Sequence, residues 1–150
     1  MGRRLGRLVA LLAIAGLACV HATAAEPKSL ALMDCELIDD MRPFASEQAR
    51  REVDQRIALI TAELAKELER RGMYRVLERG SALGAERIAR CWVQKVSNLI
   101  LNINIEVRNA ATDETVYVKS VDIRGNTDET WLRGVRRLVD NIEERRQHLR

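Results

Sequence analysis

The sequence predicts a single α/β domain with elements in the order β-α-β-(short α)-β-β-β-α. An apolar segment, a long amphipathic helix and a second apolar segment form the pattern of a parallel crossover. A later segment alternates apolar and polar residues, as a half-buried strand does. Since about 125 residues follow the N-terminal segment, one core is expected. We therefore predict a mixed five-stranded sheet with two long helices packed on it, as a two-layer or three-layer sandwich.

The start of the chain has the three parts of a secretory signal peptide. Arg3, Arg4 and Arg7 form a positive leader, residues 8–20 carry no charge, and small residues follow as far as Ala25. The uncharged run has 13 residues, whereas a membrane-spanning helix needs roughly 20. We expect cleavage near Ala25 and a periplasmic or secreted product without a membrane span, in which residues 26–150 form the domain.

Two other export signals are weaker alternatives. Arg3 and Arg4 suggest a twin-arginine signal, and Cys19 suggests lipid attachment, but the residues around each are poor matches. Plain cleavage to a soluble product is the preferred interpretation.

Removal of the signal peptide changes the net charge. The whole chain has 25 Lys and Arg residues against 22 Asp and Glu residues. Without Arg3, Arg4 and Arg7 the basic residues also number 22, so the mature chain is neutral. Because nucleic-acid binding needs a net or focused positive field, nucleic acid is not an expected partner.

Two cysteines, Cys35 and Cys91, remain after cleavage. In an oxidising compartment they can form one disulfide, and two buried thiols are the alternative. A redox function would depend on this pair.

The first half of the domain contains the predicted crossover. Ser29–Ile38 is an almost continuous apolar strand, expected to be buried on both faces. Ser46 can cap a helix that continues to about Arg71, where Gly72 provides the stop. Met73–Leu77 is the second strand. The apolar positions of the helix recur at steps of three and four: Ala49, Val53, Ile57, Ile60, Leu64 and Leu68.

The second half contains three strands. Ser81–Ala85 has room for about one helical turn and leads to a strand at Arg87–Val96. In Asn98–Arg108 the odd-numbered residues from Leu99 to Val107 are apolar and form the predicted core face. A turn at Asn109–Thr115 leads to a strand at Val116–Arg124, which completes an antiparallel hairpin.

The last strand changes its apolar phase, which predicts a bulge near Lys119-Ser120. A helix follows at Thr127–Leu149, with Asn126 and Glu129 at capping-box spacing. Its apolar stripe is Trp131, Leu132, Val135, Leu138, Val139 and Ile142.

The stretch Trp92–Trp131 resembles an uncharacterised family of small secreted bacterial proteins, a domain of unknown function. The segments that carry the resemblance are Leu30–Ile38, Gln94–Ile103 (QKVSNLILNI) and Ser120–Thr130 (SVDIRGNTDET). More distantly, the order of elements is similar to the N-terminal domain of TolB and to periplasmic domains of curli-secretion and penicillin-binding-protein-activator lipoproteins. That resemblance implies a non-catalytic interaction module, by analogy of fold alone.

The chain departs from this family between the second and third strands. Relatives usually carry a longer segment there with a Cys-x-x-C pair, whereas this chain has Gly80–Ala85 (GSALGA). A redox or metal role of that pair is therefore not transferred.

Few residues offer catalytic chemistry. His148, the one histidine after export, lies in a polar tail with nothing to orient it, so metal binding and nucleophilic catalysis are disfavoured and no cofactor is expected. Asp34 and Glu36 lie on the same side of the first strand and are candidates for an acid-base pair in a small hydrolase or lyase. Strand-end carboxylates more commonly cap a loop or pair with arginine.

Two groups of residues are candidates for binding. The first is the corner at Arg124, Asn126, Asp128, Glu129 and Trp131, because arginine and tryptophan are favoured anchors for a partner peptide. Every residue of it also has a structural explanation. The second group is Asn98, Asn102 and Asn104, with Lys95 nearby, whose amides could bind an extended ligand or a sugar; a solvated or covered face is the alternative.

The sequence therefore favours a non-catalytic binding or accessory module that engages an envelope protein or peptide, through the corner and an exposed sheet edge.

Overall fold

The computed structural model describes residues 26–78, 81–97 and 99–148, so the predicted signal peptide lies outside the described residues. The elements are β1 (Ser29–Leu32), β2 (Glu36–Ile38), a 3-10 helix (Arg42–Phe44), α1 (Glu47–Arg70), β3 (Arg75–Val76), β4 (Arg87–Lys95), β5 (Ile100–Asn109), β6 (Thr115–Arg124) and α2 (Asp128–His148).

The six strands form one mixed sheet with the order β3-β1-β4-β5-β6, and β2 also pairs with β4. β1 is parallel to β3 and to β4, and β2 is parallel to β4, whereas β4, β5 and β6 are successively antiparallel. Because β1 and β2 occupy one position beside β4, the six strands fill five positions. The predicted mixed α/β sandwich is confirmed, and the predicted first strand is divided in two.

Both helices lie on the same face of the sheet, which makes a two-layer sandwich. The helix-side face of the three antiparallel strands is formed by alternate residues, all of them buried: Ala89, Cys91, Val93, Leu101, Ile103, Ile105, Val107, Tyr117, Val121 and Ile123. α1 adds Ile60, Leu64 and Leu68, and α2 adds Trp131, Val135, Leu138, Val139 and Ile142. These residues belong to the predicted apolar stripes, and Val53 and Ile57 of the α1 stripe pack against them. Two predicted members lie outside the core: Ala49 is exposed and Leu132 is only part-buried.

An extra residue separates β1 from β2. Leu32 pairs with Ala89 and Glu36 pairs with Trp92, so three residues of the first strand face two of β4. The backbone N–H of Cys35, within this bulge, donates to Thr61 Oγ1 on α1 at 3.1 Å.

A disulfide joins Cys35 to Cys91 on β4, with Cα atoms 4.4 Å apart. Both cysteines are buried. The disulfide links the bulge to the central strand directly beneath α1.

α1 begins and ends as the sequence predicts. The hydroxyl of Ser46 accepts a hydrogen bond from the backbone N–H of Ala49 at 3.2 Å. Gly72 follows the helix with φ of 62°, in the left-handed region that glycine adopts without strain.

Gly134 allows α2 to pack closely on the sheet. A Cβ at this position would lie 2.4 Å from Cγ2 of Ile123 and 2.9 Å from Cδ1 of Ile103. Only glycine permits this separation between the helix and the centres of β5 and β6.

Three element predictions are wrong. Residues 81–85 form turns without a helix, because the segment is bound to β1 by hydrogen bonds from Ser29 Oγ to the Gly84 carbonyl and from the Glu86 N–H to Ser29 Oγ. A short helix occurs instead at Arg42–Phe44. Leu99 is not in the core: it precedes β5 and is 69% exposed.

The third error concerns the bulge in β6. Val107 pairs with Tyr117 and Arg108 with Thr115, so the extra residue is Val116, beside the turn. Tyr117 is a core residue that the apolar pattern missed. Val116 and Val118 consequently face outward, and β6 keeps one phase from Tyr117 to Ile123.

Replacement of both Cys35 and Cys91 by alanine should lower the free energy of unfolding by about 4 kcal/mol, because the disulfide closes a loop with a sequence separation of 56. Urea unfolding of the oxidised protein and the double variant measures this difference. An unchanged midpoint would show that the crosslink does not restrain the unfolded chain.

Gly134→Ala should destabilise the protein by about 1 to 3 kcal/mol, although alanine is the better helix former, because its Cβ overlaps Ile123. Thermal and urea unfolding measure the loss, and Glu144→Ala on the exposed side of α2 is the control. The loss should shrink in an Ile123→Ala background; equal losses in both backgrounds would contradict the proposed contact.

Candidate binding surface

The face of the sheet opposite the helices is uncovered in the part of the chain that the structure describes. Strand register aligns its residues in rows across β4, β5 and β6. One row contains Trp92, Asn104 and Ser120, and the next contains Gln94, Asn102 and Asp122. We call the exposed side of these three strands the open face.

The open face has its own hydrogen bonds. Asn102 Nδ2 donates to Asp122 Oδ1 at 2.7 Å, and Asn104 Nδ2 donates to the Asn102 carbonyl at 3.2 Å. Asn104 is only 7% exposed, although no helix covers it. Asn104 lies between Trp92 of β4, which is half-buried, and Ser120 of β6, which is exposed, so side chains of the neighbouring strands shield it from solvent.

The predicted group of amides is therefore placed in part. Asn102 and Asn104 share the open face, and Asn98 lies outside the described residues. Lys95 does not belong with them: it pairs with Leu101 on the helix side, and its Nζ lies 3.2 Å from Asp39 Oδ2. Alternation along the strand puts an odd-numbered residue of β4 on the opposite face from the asparagines.

A third row of the open face combines charged and apolar side chains. Arg90 pairs with Glu106, and Glu106 with Val118, which is 50% exposed. Glu106 Oε1 accepts a hydrogen bond from the Thr115 hydroxyl at 2.9 Å. The open face thus mixes amides, charges, an aromatic ring and exposed valine.

The outer edge of the sheet is formed by β6. The backbone N–H of Gly125 donates to the Leu99 carbonyl at 2.9 Å, which makes this a hydrogen-bonded antiparallel pair. Because such pairs alternate, the odd-numbered residues of β6 bond to β5. The N–H and C=O groups of Val118, Ser120 and Asp122 are therefore directed outward, along an edge strand of ten residues.

A cleft of about 320 Å³ lies between this edge and α2. It is lined by residues 122–124 of β6 and by Thr130, Arg133, Gly134 and Arg137 of α2. Three of the lining residues are arginines, and Asp122 is the one acid among them. Asp122 and Arg124 are even-numbered residues of β6, so their side chains lie on the open face, and Arg133 and Arg137 are the arginines on the helix side of the cleft.

The strand-to-helix corner contains the other predicted binding group. Trp131 is 1% exposed, and its Nε1 donates to Asn126 Oδ1 at 3.1 Å. Asp128 forms an ion pair of 2.8 Å with Arg56 of α1. The structure thus makes Trp131 a core residue instead of a surface anchor, because its ring belongs to the buried core while Asn126 satisfies its N–H group.

The cap of α2 differs from the predicted pair of Asn126 and Glu129. Thr127 and Thr130 cap it reciprocally: each backbone N–H donates to the hydroxyl of the other, at 3.1 and 3.3 Å. Gly125 allows the turn with φ of 98°. Arg124 and Glu129 remain exposed and available to a partner.

The residues considered for catalysis lie at the bulge of the first strand. Asp34 lies in the bulge and Glu36 in β2, so they do not share one side of a regular strand, and both are exposed. The disulfide is buried, with Cys35 4% and Cys91 3% exposed. Among the described residues, no three His, Cys, Asp or Glu side chains are grouped as a metal site would need.

The most perturbed acid lies between the helices. The Arg70 guanidinium donates to the Glu67 carboxylate at 2.7 Å and, with Arg71, lowers the pKa of Glu67 from 4.5 to about 2, against the effect of burial. Arg71 also contacts Asp140 at 2.5 Å and Glu143 at 2.9 Å on α2. This cluster, which we call the helix clasp, joins α1 to α2.

A second perturbed group is Tyr117. Burial raises its pKa above the usual value of 10.0, and its hydroxyl lies 3.3 Å from that of Tyr74. Arg146 lies over the ring of Tyr74, 5.6 Å from its centre. Like the helix clasp, this contact is structural.

Comparison with known proteins agrees with the predicted resemblance. Residues 77–142 match the profile of a family described as "Protein of unknown function (DUF2380)". The match includes the two segments Gln94–Ile103 and Ser120–Thr130, so the resemblance to an uncharacterised family is confirmed. None of the curated proteins compared with the chain matches it.

Two solved structures share the fold. The PelC dodecamer from Paraburkholderia phytofirmans superposes with a TM-score of 0.55 at 10% identity, over 77% of this chain and 87% of PelC. Lipoprotein GNA1162 from Neisseria meningitidis gives a TM-score of 0.51 at 13% identity, over 79% of this chain and 97% of GNA1162. At these identities the matches show a common fold alone.

TolB from Acinetobacter baumannii is more distant, with a TM-score of 0.44 at 6% identity, over 68% of this chain and 24% of TolB. This match is too weak to carry an argument.

Neither helix of the described chain is long and apolar enough to cross a membrane.

Acid should weaken the helix clasp. Because the pKa of Glu67 is lowered on folding, its contribution to stability is complete above pH 4.5 and is lost as the pH falls towards 2. Glu67→Gln should therefore be less stable than the parent at pH 7, and this difference should shrink as the pH falls from 4.5 to 2. Urea unfolding at each pH measures this slope.

The control is Glu144→Gln, whose carboxylate lies on the exposed side of α2. It should follow the parent at every pH. A Glu67→Gln variant with the parent's full pH dependence would exclude the helix clasp as its source.

Proposed function

We propose that this chain is a non-catalytic binding module of the bacterial cell envelope, which holds another envelope protein against the open face of its sheet. The observation that carries the proposal is the one-sided sheet. Both helices pack on one face, and the opposite face of β4, β5 and β6 presents exposed polar, charged and apolar side chains.

The chemistry of the open face suits a protein surface. Arg90, Gln94 and Ser120 are exposed and can exchange hydrogen bonds with a partner. Val118 and the half-buried ring of Trp92 supply apolar area. A sheet surface of this kind binds protein chains more readily than small molecules, because small molecules favour concave pockets.

Support for a non-catalytic role comes from the placement of the candidate acids. Asp34 and Glu36 are exposed and lie in different backbone settings, whereas an acid-base pair is held in one fixed geometry about its substrate.

The compartment is part of the same proposal. The predicted signal peptide favours export, and the disulfide between Cys35 and Cys91 suits an oxidising compartment. One protein of the same fold is a lipoprotein and another is a dodecamer. The lipoprotein suits a place at the envelope, and the dodecamer suits a domain that works within an assembly.

Site-specific photo-crosslinking tests the proposal. A photo-reactive amino acid in place of Arg90 or Gln94, both exposed on β4, should yield a discrete crosslinked product with an envelope protein in the producing cell. The matched control replaces Gln48, an exposed residue of α1, and should yield none.

Products of equal yield from all three positions, or from none, would refute a binding role for the open face. Trp92→Ser should reduce the product at Arg90 while leaving the protein folded, as judged by its thermal unfolding.

A further inference from the structure

The free edge of β6 carries a focused positive charge that the neutral composition does not suggest. Arg133 and Arg137 of α2 line the cleft beside the edge, and Lys119 of β6 lies half-buried on the same, helix-facing side. The one acid in the lining, Asp122, already accepts a hydrogen bond from Asn102.

The arginines of this cleft lack strong partners. Arg133 is 3.9 Å from Glu129, at the limit of an ion pair. Within the described residues, Arg137 makes no ion pair. By contrast, Arg136 on the α1 side of the same helix pairs with Glu63 at 3.1 Å.

The edge also offers unpaired backbone groups. The outward N–H and C=O groups of Val118, Ser120 and Asp122 form the template on which another strand can pair. β6 contains no proline, and its bulge at Val116 lies at one end, so residues 117–124 form an uninterrupted edge.

The spacing of the charges matches that of an added strand. Arg133 and Arg137 are four residues apart, about 6 Å along a helix. Alternate residues of a strand, which point to the same side, are about 6.6 Å apart. Carboxylates at every second position of a strand paired with β6 would therefore have nearly the spacing of the two arginines.

We propose that an extended acidic segment of a partner protein adds to β6 as a further strand and places alternate carboxylates in the cleft between β6 and α2, beside Arg133 and Arg137. The backbone pairing supplies affinity, and the guanidinium groups select for acid at alternate positions. This inference rests on the proposed binding function and names the chemistry of the partner.

A second copy of the chain fits the edge less well. Its own β6 offers one carboxylate, Asp122, which Asn102 already engages, so the arginines of the cleft would stay unpaired. The acidic segment satisfies both the backbone and the charges.

The test uses the disulfide-bonded chain from residue 26 to 150 and fluorescent ten-residue peptides. One peptide carries glutamates at alternate positions among threonine and valine. A second has the same composition with its glutamates adjacent, and a third has lysine in place of glutamate. Fluorescence anisotropy should show at least about tenfold tighter binding of the first peptide than of either other.

Arg133→Gln with Arg137→Gln should weaken that binding at least about tenfold, because two charge-assisted contacts are lost. Arg136→Gln on the other side of α2 is the matched control and should leave it unchanged. Hydrogen exchange should slow at the amides of Ser120 and Asp122 on binding, with less effect at Lys119 and Val121, which already bond to β5.

Equal binding of the first two peptides, or no effect of the double arginine variant, would overturn the proposal. So would slowed exchange at Ser120 without peptide together with a dimer in sedimentation, which would make a second copy the occupant. Absent peptide binding with the Arg90 and Gln94 crosslinks intact would reject the acidic strand alone. Loss of both signals would reject the binding function as well.

Discussion

The pairing of β4 on both of its sides is the constraint on which the rest of the structure depends. On one side it pairs in parallel with β1 and β2, and on the other it pairs antiparallel with β5. Parallel strands require a crossover, which α1 provides, whereas antiparallel strands need only a turn. The disulfide from Cys35 to Cys91 fixes the parallel side at the point where the bulge shifts the register. Every later strand takes its position from this junction.

The junction also explains why one face of the sheet stays open. α1 crosses on one side, and α2 returns from β6 on the same side, where its apolar stripe packs on the buried residues of the strands. Arg56, Glu63 and Arg71 of α1 also form ion pairs with α2. Gly134 then lets α2 approach the strands closely. With both helices in a single layer, residues 26–78, 81–97 and 99–148 contain no further element that covers β4, β5 and β6. The open face and the free edge are thus consequences of the topology.

Much of the fold could be predicted because its signals are local. The hydroxyl of Ser46 caps α1 and Gly72 ends it, and each effect depends on neighbouring residues only. The errors arise where tertiary contacts decide. Tyr117 is polar at its tip, so the pattern placed the phase change inside β6, whereas the ring is buried with its hydroxyl near Tyr74. The bulge therefore lies beside the turn, at Val116, and not inside β6 as the pattern predicted.

The candidate sites show the same limit of sequence reasoning. Trp131 has the composition of a binding anchor, and only its distance from Asn126 reveals that its N–H group is satisfied within the corner. Lys95 is close in sequence to Asn102 and Asn104 but lies on the opposite face. The sequence was enough to predict the strands themselves. Which face of the sheet each side chain lies on could be assigned only from the strand register.

The arginines of the cleft between β6 and α2 could not be predicted by counting charges, because a chain that is neutral overall can still place its basic and acidic residues in different regions of its surface. Arg133, Arg136 and Arg137 are close neighbours in the sequence, and each residue turns a helix by about 100°. Arg136 therefore faces α1 and pairs with Glu63, while Arg133 and Arg137 face the edge of β6. Asp140, Glu143 and Glu63 form ion pairs between the two helices, whereas the arginines at the edge of β6 have no close acidic partner. Overall neutrality thus excludes a strongly charged domain, yet it permits a local field where a strand can be added.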